Sequence, residues 1–123
     1  MNILIVEDEK LMLMALQYSV EALGHNSFHA LDSTEAIRHI RNQKIDFIFS
    51  DILMPGISGL SLVSILRHTY HLKIPIVLMS TLKTKDVRNK SEYRDVNDFI
   101  EKPFTIADIA YKISKHTSSE LDN

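Results

Sequence analysis

The stretch from Ile45 to Gly59 constrains this chain more than any other. Ile45 to Ser50 is a short, mostly apolar, β-prone run bounded by turn residues, so it reads as a strand buried on both faces. It stops at Asp51, and Pro55, Gly56 and Gly59 follow within a few residues. A carboxylate at the end of such a strand is either exposed at a sheet rim or held by a partner. Asp51 is therefore the residue to explain.

The remaining elements fall around that strand. Ile3 to Val6 is a β-branched and Leu run that ends at Glu7, Asp8 and Glu9. From Lys10 to Leu23 the apolar period becomes helical, with Leu13, Leu16, Val20 and Leu23 on one stripe and Gly24 suited to the helix end. Asn26 to Ala30 is a weaker strand. Asp32 to Glu35 has capping-box spacing and opens a second helix with Ala36, Ile37 and Ile40 inward. A third helix is expected from Ser58 to His68, a fourth strand over Ile76 to Met79 ending at Ser80, and a polar helix over 85–93. Asp98 to Ile100 forms a minimal fifth strand cut off by Lys102 and Pro103, and Thr105 to Lys115 forms the last helix. Five strands alternating with five helices imply crossover units and a parallel sheet covered on both faces, a doubly wound α/β fold.

At 123 residues the chain is one domain with a real core. The domain is expected over residues 1–116, with 117–123 a polar tail or the start of a linker. A net charge of −2 gives no reason to expect general binding to nucleic acid or membrane surfaces. The absence of cysteine excludes disulfides, thiol catalysis and cysteine-based zinc sites. No signal-peptide core or membrane-length run is present, so the expected compartment is the cytoplasm.

Doubly wound sheets bind ligands outside the carboxyl ends of their strands. Those ends carry Glu7 and Asp8, then Asp51, Ser80 and Lys102. Three carboxylates in one place repel each other unless a cation joins them. An oxygen-only ligand set favours a hard ion, Mg²⁺ before Ca²⁺ or Mn²⁺. A lysine and a hydroxyl on the same rim suit phosphoryl oxygens. An acid nucleophile, metal, Lys and Ser together fit phosphoryl transfer through an aspartyl phosphate.

Glu7-Asp8, Asp51 with Met54-Pro55-Gly56 and Gly59, Ser80, and Lys102-Pro103-Phe104 stand in an order and at spacings that together are highly specific. Over nearly its whole length the chain resembles the receiver domain of two-component response regulators, much like a chemotaxis receiver. The resemblance implies a flavodoxin-like strand order 2-1-3-4-5. It implies that Asp51 accepts a phosphoryl group from a phosphohistidine on a sensor histidine kinase or histidine phosphotransfer protein. Glu7, Asp8, Asp51 and the backbone carbonyl of Leu53 would hold Mg²⁺, with Mn²⁺ as the substitute ion. Lys102 would pair with the phosphate through a cis Lys102–Pro103 bond. Ser80 would swing toward a phosphoryl oxygen, and Phe99, at the aromatic switch position, would turn into the vacated space. The face formed by helix four, strand five and helix five would then change shape for an unknown output partner, with homodimerisation on phosphorylation as one outcome. The chain would thus be a signalling switch and not an enzyme, catalysing only its own phosphorylation and slow self-dephosphorylation.

Departures from the family pattern bear on that reading. Thr81 replaces a small residue, Asp95 and Val96 replace a frequent Gly-Ala, and Phe99 lacks the commoner Tyr hydroxyl. Leu53 and Leu82 stand where many members carry polar residues that orient water, which implies slow loss of the phosphoryl group. Besides its core stripe, the first helix has a second apolar row, Leu11, Met14, Ala15, Tyr18 and Ala22. If neighbouring helices leave it uncovered, Leu11, Met14 and Tyr18 form a docking patch for the phosphodonor. The six histidines lack ligand spacing. The alternative function is a phosphorylation-independent pseudo-receiver acting as an interaction module. A haloacid-dehalogenase-type hydrolase would need an Asp where Leu53 stands. A flavin-binding flavodoxin would place a phosphate-cradling loop where Glu7-Asp8-Glu9 repel phosphate.

Overall fold

The computed structural model describes residues 1–54, 56–81 and 91–117. Five strands, β1 (Asn2–Val6), β2 (Asn26–Ala30), β3 (Phe47–Asp51), β4 (Ile76–Ser80) and β5 (Asp98–Glu101), form one parallel sheet in the order β2-β1-β3-β4-β5. Four α-helices lie among the described residues: α1 (Lys10–Ala22), α2 (Ser33–Asn42), α3 (Gly59–His68) and a C-terminal helix (Ile106–Thr117). The sequence reading counted five. Most of the helix expected over 85–93 lies outside the described residues, and its described end, Ser91–Tyr93, is a single 3₁₀ turn.

Alternation along the strands builds two cores. Leu4, Val6, Ile48, Ile76 and Leu78 face Ala36 of α2 and Leu62 and Leu66 of α3. Ile3, Ile5, Phe47, Phe49, Val77 and Met79 face Leu13, Leu16 and Val20 of α1 and Ile109 and Ile113 of the C-terminal helix. Each fully buried Leu, Ile or Phe contributes roughly 1.5–3 kcal/mol, so these two layers dominate stability.

Local chemistry sets the boundaries. Gly24 takes φ +91° just past α1, a backbone conformation that favours glycine, and its N–H closes on the Glu21 carbonyl. Asp32 caps α2 by accepting the Glu35 N–H at 2.9 Å, while the Glu35 carboxylate reaches back to the Leu31 N–H at 2.8 Å. That return bond lands one residue earlier than in a standard capping box. Ser58 caps α3 by accepting the Ser61 N–H at 3.1 Å. The third strand begins at Phe47, not Ile45, because its pairing with β1 starts at Ile3 opposite Phe47. It also includes Asp51, paired with Met79. The C-terminal helix continues through Thr117, whose hydroxyl donates to the Ile113 carbonyl, so it runs past the expected end at residue 115.

The base of the sheet, at the strands' N-terminal ends, holds a charged cluster that sequence reading missed. Asp98 on β5 is 1% exposed. One of its oxygens accepts the Phe99 N–H at 2.8 Å and Lys112 at 3.1 Å; the other accepts Lys115 at 3.1 Å and His116 at 2.9 Å. Burial pushes this carboxyl up, but the His116, Phe99 N–H and lysine bonds outweigh it and hold the carboxyl far below the ordinary range. Replacing Asp98 with Asn strands the Lys112 and Lys115 ammonium groups against the sheet. Urea denaturation at pH 7 is expected to show a loss of about 2–4 kcal/mol. A group with a depressed pKa stabilises above its unfolded value, so the gap between wild type and variant should close as pH falls below about 4.

Candidate functional site

The carboxyl ends of β1, β3, β4 and β5 bring the expected rim residues together. Glu7 leaves β1 and is fixed by its N–H to the Ala30 carbonyl at 3.0 Å. Asp51 closes β3, Ser80 closes β4, and Lys102 follows β5 with its N–H on the Ser80 carbonyl at 2.7 Å. The Lys102–Pro103 peptide is cis, as the resemblance implies.

Lys102 sits between two acids. Its ammonium donates to Glu7 Oε1 at 2.9 Å and to Asp51 Oδ2 at 3.2 Å. Glu7 is 1% exposed, and its second oxygen accepts the Glu9 N–H at 3.2 Å. Burial raises the Glu7 pKa, the neighbouring Asp51 charge adds to that, and Lys102 and the Glu9 N–H pull it back without cancelling it. Burial alone would lower the Lys102 pKa, but its bond to Glu7 and the Asp51 charge outweigh this and raise it.

Carboxylate oxygens of Glu7, Asp8 and Asp51 lie within 4.8 Å of one another, with Asp8 exposed to solvent. Three hard oxygen donors at that separation fit a divalent cation such as Mg²⁺. The two ends of the loop after β3 are tied by backbone bonds. The Ile52 N–H donates to the Met79 carbonyl at 3.1 Å, and the Gly59 N–H donates to the Ile52 carbonyl at 2.7 Å. A Cβ on Gly59 would be driven into the carbonyl oxygen of Asp51, so glycine lets α3 start directly against the strand end that carries the acid. The Gly59→Ala variant is expected to lose about 1–3 kcal/mol in urea denaturation, the cost of overpacking against backbone.

The other expected residues are placed as follows. Ser80 is 8% exposed at the rim. Thr81 is exposed, and Leu82 lies outside the described residues. Leu53 is 76% exposed, a bare aliphatic two residues from Asp51. Phe99 points away from solvent into the layer beneath α3, with its ring edge-to-face on Tyr93 at 5.4 Å. On α1, Leu11, Met14 and Tyr18 are 76%, 63% and 73% exposed, so no neighbouring described element covers the second apolar row. Among the described residues no helix is long and apolar enough to cross a membrane.

A doubly wound parallel sheet with an acid cluster and a lysine at its carboxyl rim defines a small class of α/β proteins. Comparison with known proteins narrows it. The response regulator receiver domain family matches residues 3–114, and the chain belongs to that family. The chemotaxis protein CheY of Pseudomonas aeruginosa is 31% identical over 117 residues, covering 94% of each chain. The transcriptional regulatory protein PrrA of Mycobacterium leprae is 28% identical over 112 residues, 91% of this chain but 48% of the relative, so the chain spans about half the length of such regulators. Among solved structures, the signal receiver domain of a signal transduction histidine kinase from Syntrophus aciditrophicus matches with TM-score 0.83 and 30% identity over 96% of this chain and 90% of that one. Response regulator protein TrrA from Thermotoga maritima, solved in complex with Mg²⁺-BeF, shares the fold with TM-score 0.82 at 24% identity over 93% and 96% of the two chains.

Proposed function

We propose that this receiver domain is a phosphoacceptor switch in which Asp51 takes a phosphoryl group from a phosphohistidine donor. A carboxylate oxygen of Asp51 attacks phosphorus, the phosphorus–nitrogen bond breaks, and the donor imidazole leaves with the electron pair. The observation that supports this most is the convergence of Glu7, Asp8 and Asp51 with Lys102 bridging two of them. Glu7, Asp8, Asp51 and the Leu53 carbonyl would hold Mg²⁺, or Mn²⁺ in its place. Bound there, the ion would neutralise charge on the phosphoryl oxygens. Lys102 supplies a second cation to those oxygens, and Ser80 a hydroxyl.

The buried position of Phe99 shifts the weight of the switch onto Ser80 and the chain after it, since the ring is already inside. The output face is that of β5 and the C-terminal helix, where Tyr111 is 62% exposed. The donor is a sensor histidine kinase or a phosphotransfer protein, docking on Leu11, Met14 and Tyr18 beside the rim. The domain works in the cytoplasm as a switch with no external substrate.

The test is incubation with Mg²⁺ and acetyl phosphate followed by mass spectrometry of the intact protein. One hydroxylamine-labile phosphoryl group is expected, and its absence with every donor would favour the phosphorylation-independent interaction module. The Leu53 side chain offers no polar atom to orient an attacking water, so the adduct should decay slowly. A half-life of seconds at neutral pH would count against that.

A further inference from the structure

We infer that Ser33 is a positioning residue for the metal-binding loop, holding the segment after Asp51 in place from a different helix. This rests on the metal site proposed above.

The loop between β3 and α3 carries the Leu53 carbonyl assigned to the ion. At its base it is tied by backbone bonds, Ile52 N–H to the Met79 carbonyl and Gly59 N–H to the Ile52 carbonyl. Beyond that base, Gly56 takes φ +78°, and Ser58 is occupied as the cap of α3. Between them, the carbonyl of Ile57 turns toward α2 and accepts the Ser33 hydroxyl at 3.1 Å. The Ile57 side chain is 41% exposed, so packing alone does not fix this point.

Ser33 is well suited to the task. It is 3% exposed, and a hydroxyl buried to that degree needs a partner. As the first residue of α2 it stands where serine often serves the helix end, yet Asp32 already fills the capping role. The Ser33 hydroxyl is therefore spare and is spent on the loop. Residues that orient metal ligands through hydrogen bonds affect affinity without touching the ion. Ser33 acts further out, by holding the loop backbone at Ile57, four residues beyond the Leu53 carbonyl.

Mg²⁺ titration by calorimetry on the full chain, paired with thermal unfolding in EDTA, tests this. The Ser33→Ala variant is expected to raise the Mg²⁺ dissociation constant about three- to ten-fold, the scale of one lost hydrogen bond. Ser33→Thr, which keeps the hydroxyl, should restore most of it. A merely structural serine would lower the unfolding temperature and leave the Mg²⁺ constant unchanged. That result, or an equal shift in the Ala and Thr variants, overturns the inference while leaving the metal site standing. If the wild-type chain binds no Mg²⁺, both the metal reading and this inference fall.

Discussion

Replacing Asp51 with Asn is expected to abolish the phosphoryl adduct from acetyl phosphate, since an amide oxygen is a far weaker nucleophile than a carboxylate. The loss should be complete within detection, because the other nearby acids are unsuited to the attack. Glu7 is buried, with one oxygen on Lys102 and the other on the Glu9 N–H. In the proposed site Asp8 is a ligand of the ion. The Mg²⁺ constant should also weaken, by more than the roughly ten-fold that loss of an outer-shell contact brings. Folding should survive, because Lys102 keeps its 2.9 Å bond to Glu7 and one repulsive charge beside Glu7 is gone. Urea midpoints of wild type and variant are expected to differ by less than about 1 kcal/mol. A variant that still accepts the group would move the acceptor elsewhere.

Lys102→Met should lower stability as strongly as any change at the rim. It removes the cation that bridges a carboxylate that is 1% exposed and another that is 14% exposed. In EDTA at pH 7 the expected cost is about 2–4 kcal/mol, the penalty for leaving buried charge uncompensated. Saturating Mg²⁺ should recover much of it by supplying a cation in the same place. The pH dependence has a definite sign. The Glu7 carboxyl is already raised by burial, and losing Lys102 raises it further. A group with a raised pKa is at no disadvantage below its unfolded value near 4.3, and it loses stability as pH climbs through the native value. The deficit of the variant should therefore be small near pH 4 and grow toward neutrality. Denaturation curves across that window, with and without Mg²⁺, check both parts.

How much of this was legible in the chain depends on where each residue's partners lie. Asp51, Glu7 and Lys102 could be read because each terminates an apolar strand, and strand ends of a parallel α/β sheet meet at one rim. The cap at Asp32 could be read because its partner lies three residues away. Ser33, Asp98 and Phe99 could not be placed so. The partner of Ser33 is 24 residues off in another element, and Asp98 meets cations 14 to 18 residues later on a helix whose rotation the sequence does not state. Asp98 does leave one signal: an acid at a position where β5 alternation demands an apolar side chain. The direction of the Phe99 ring follows from packing against Tyr93, six residues away across a turn, which the sequence does not state.

Asp98 and Lys102 also share a strand only four residues long, Asp98–Glu101, with Lys102 just beyond its end. One end reaches the acids at the rim through Lys102, and the other is clamped to the last two turns of the C-terminal helix through Lys112, Lys115 and His116. The strand is thus held by ion pairs at both ends, while Phe99 and Ile100 between them enter the two apolar layers, so charge at the ends and burial in the middle together fix this edge of the sheet.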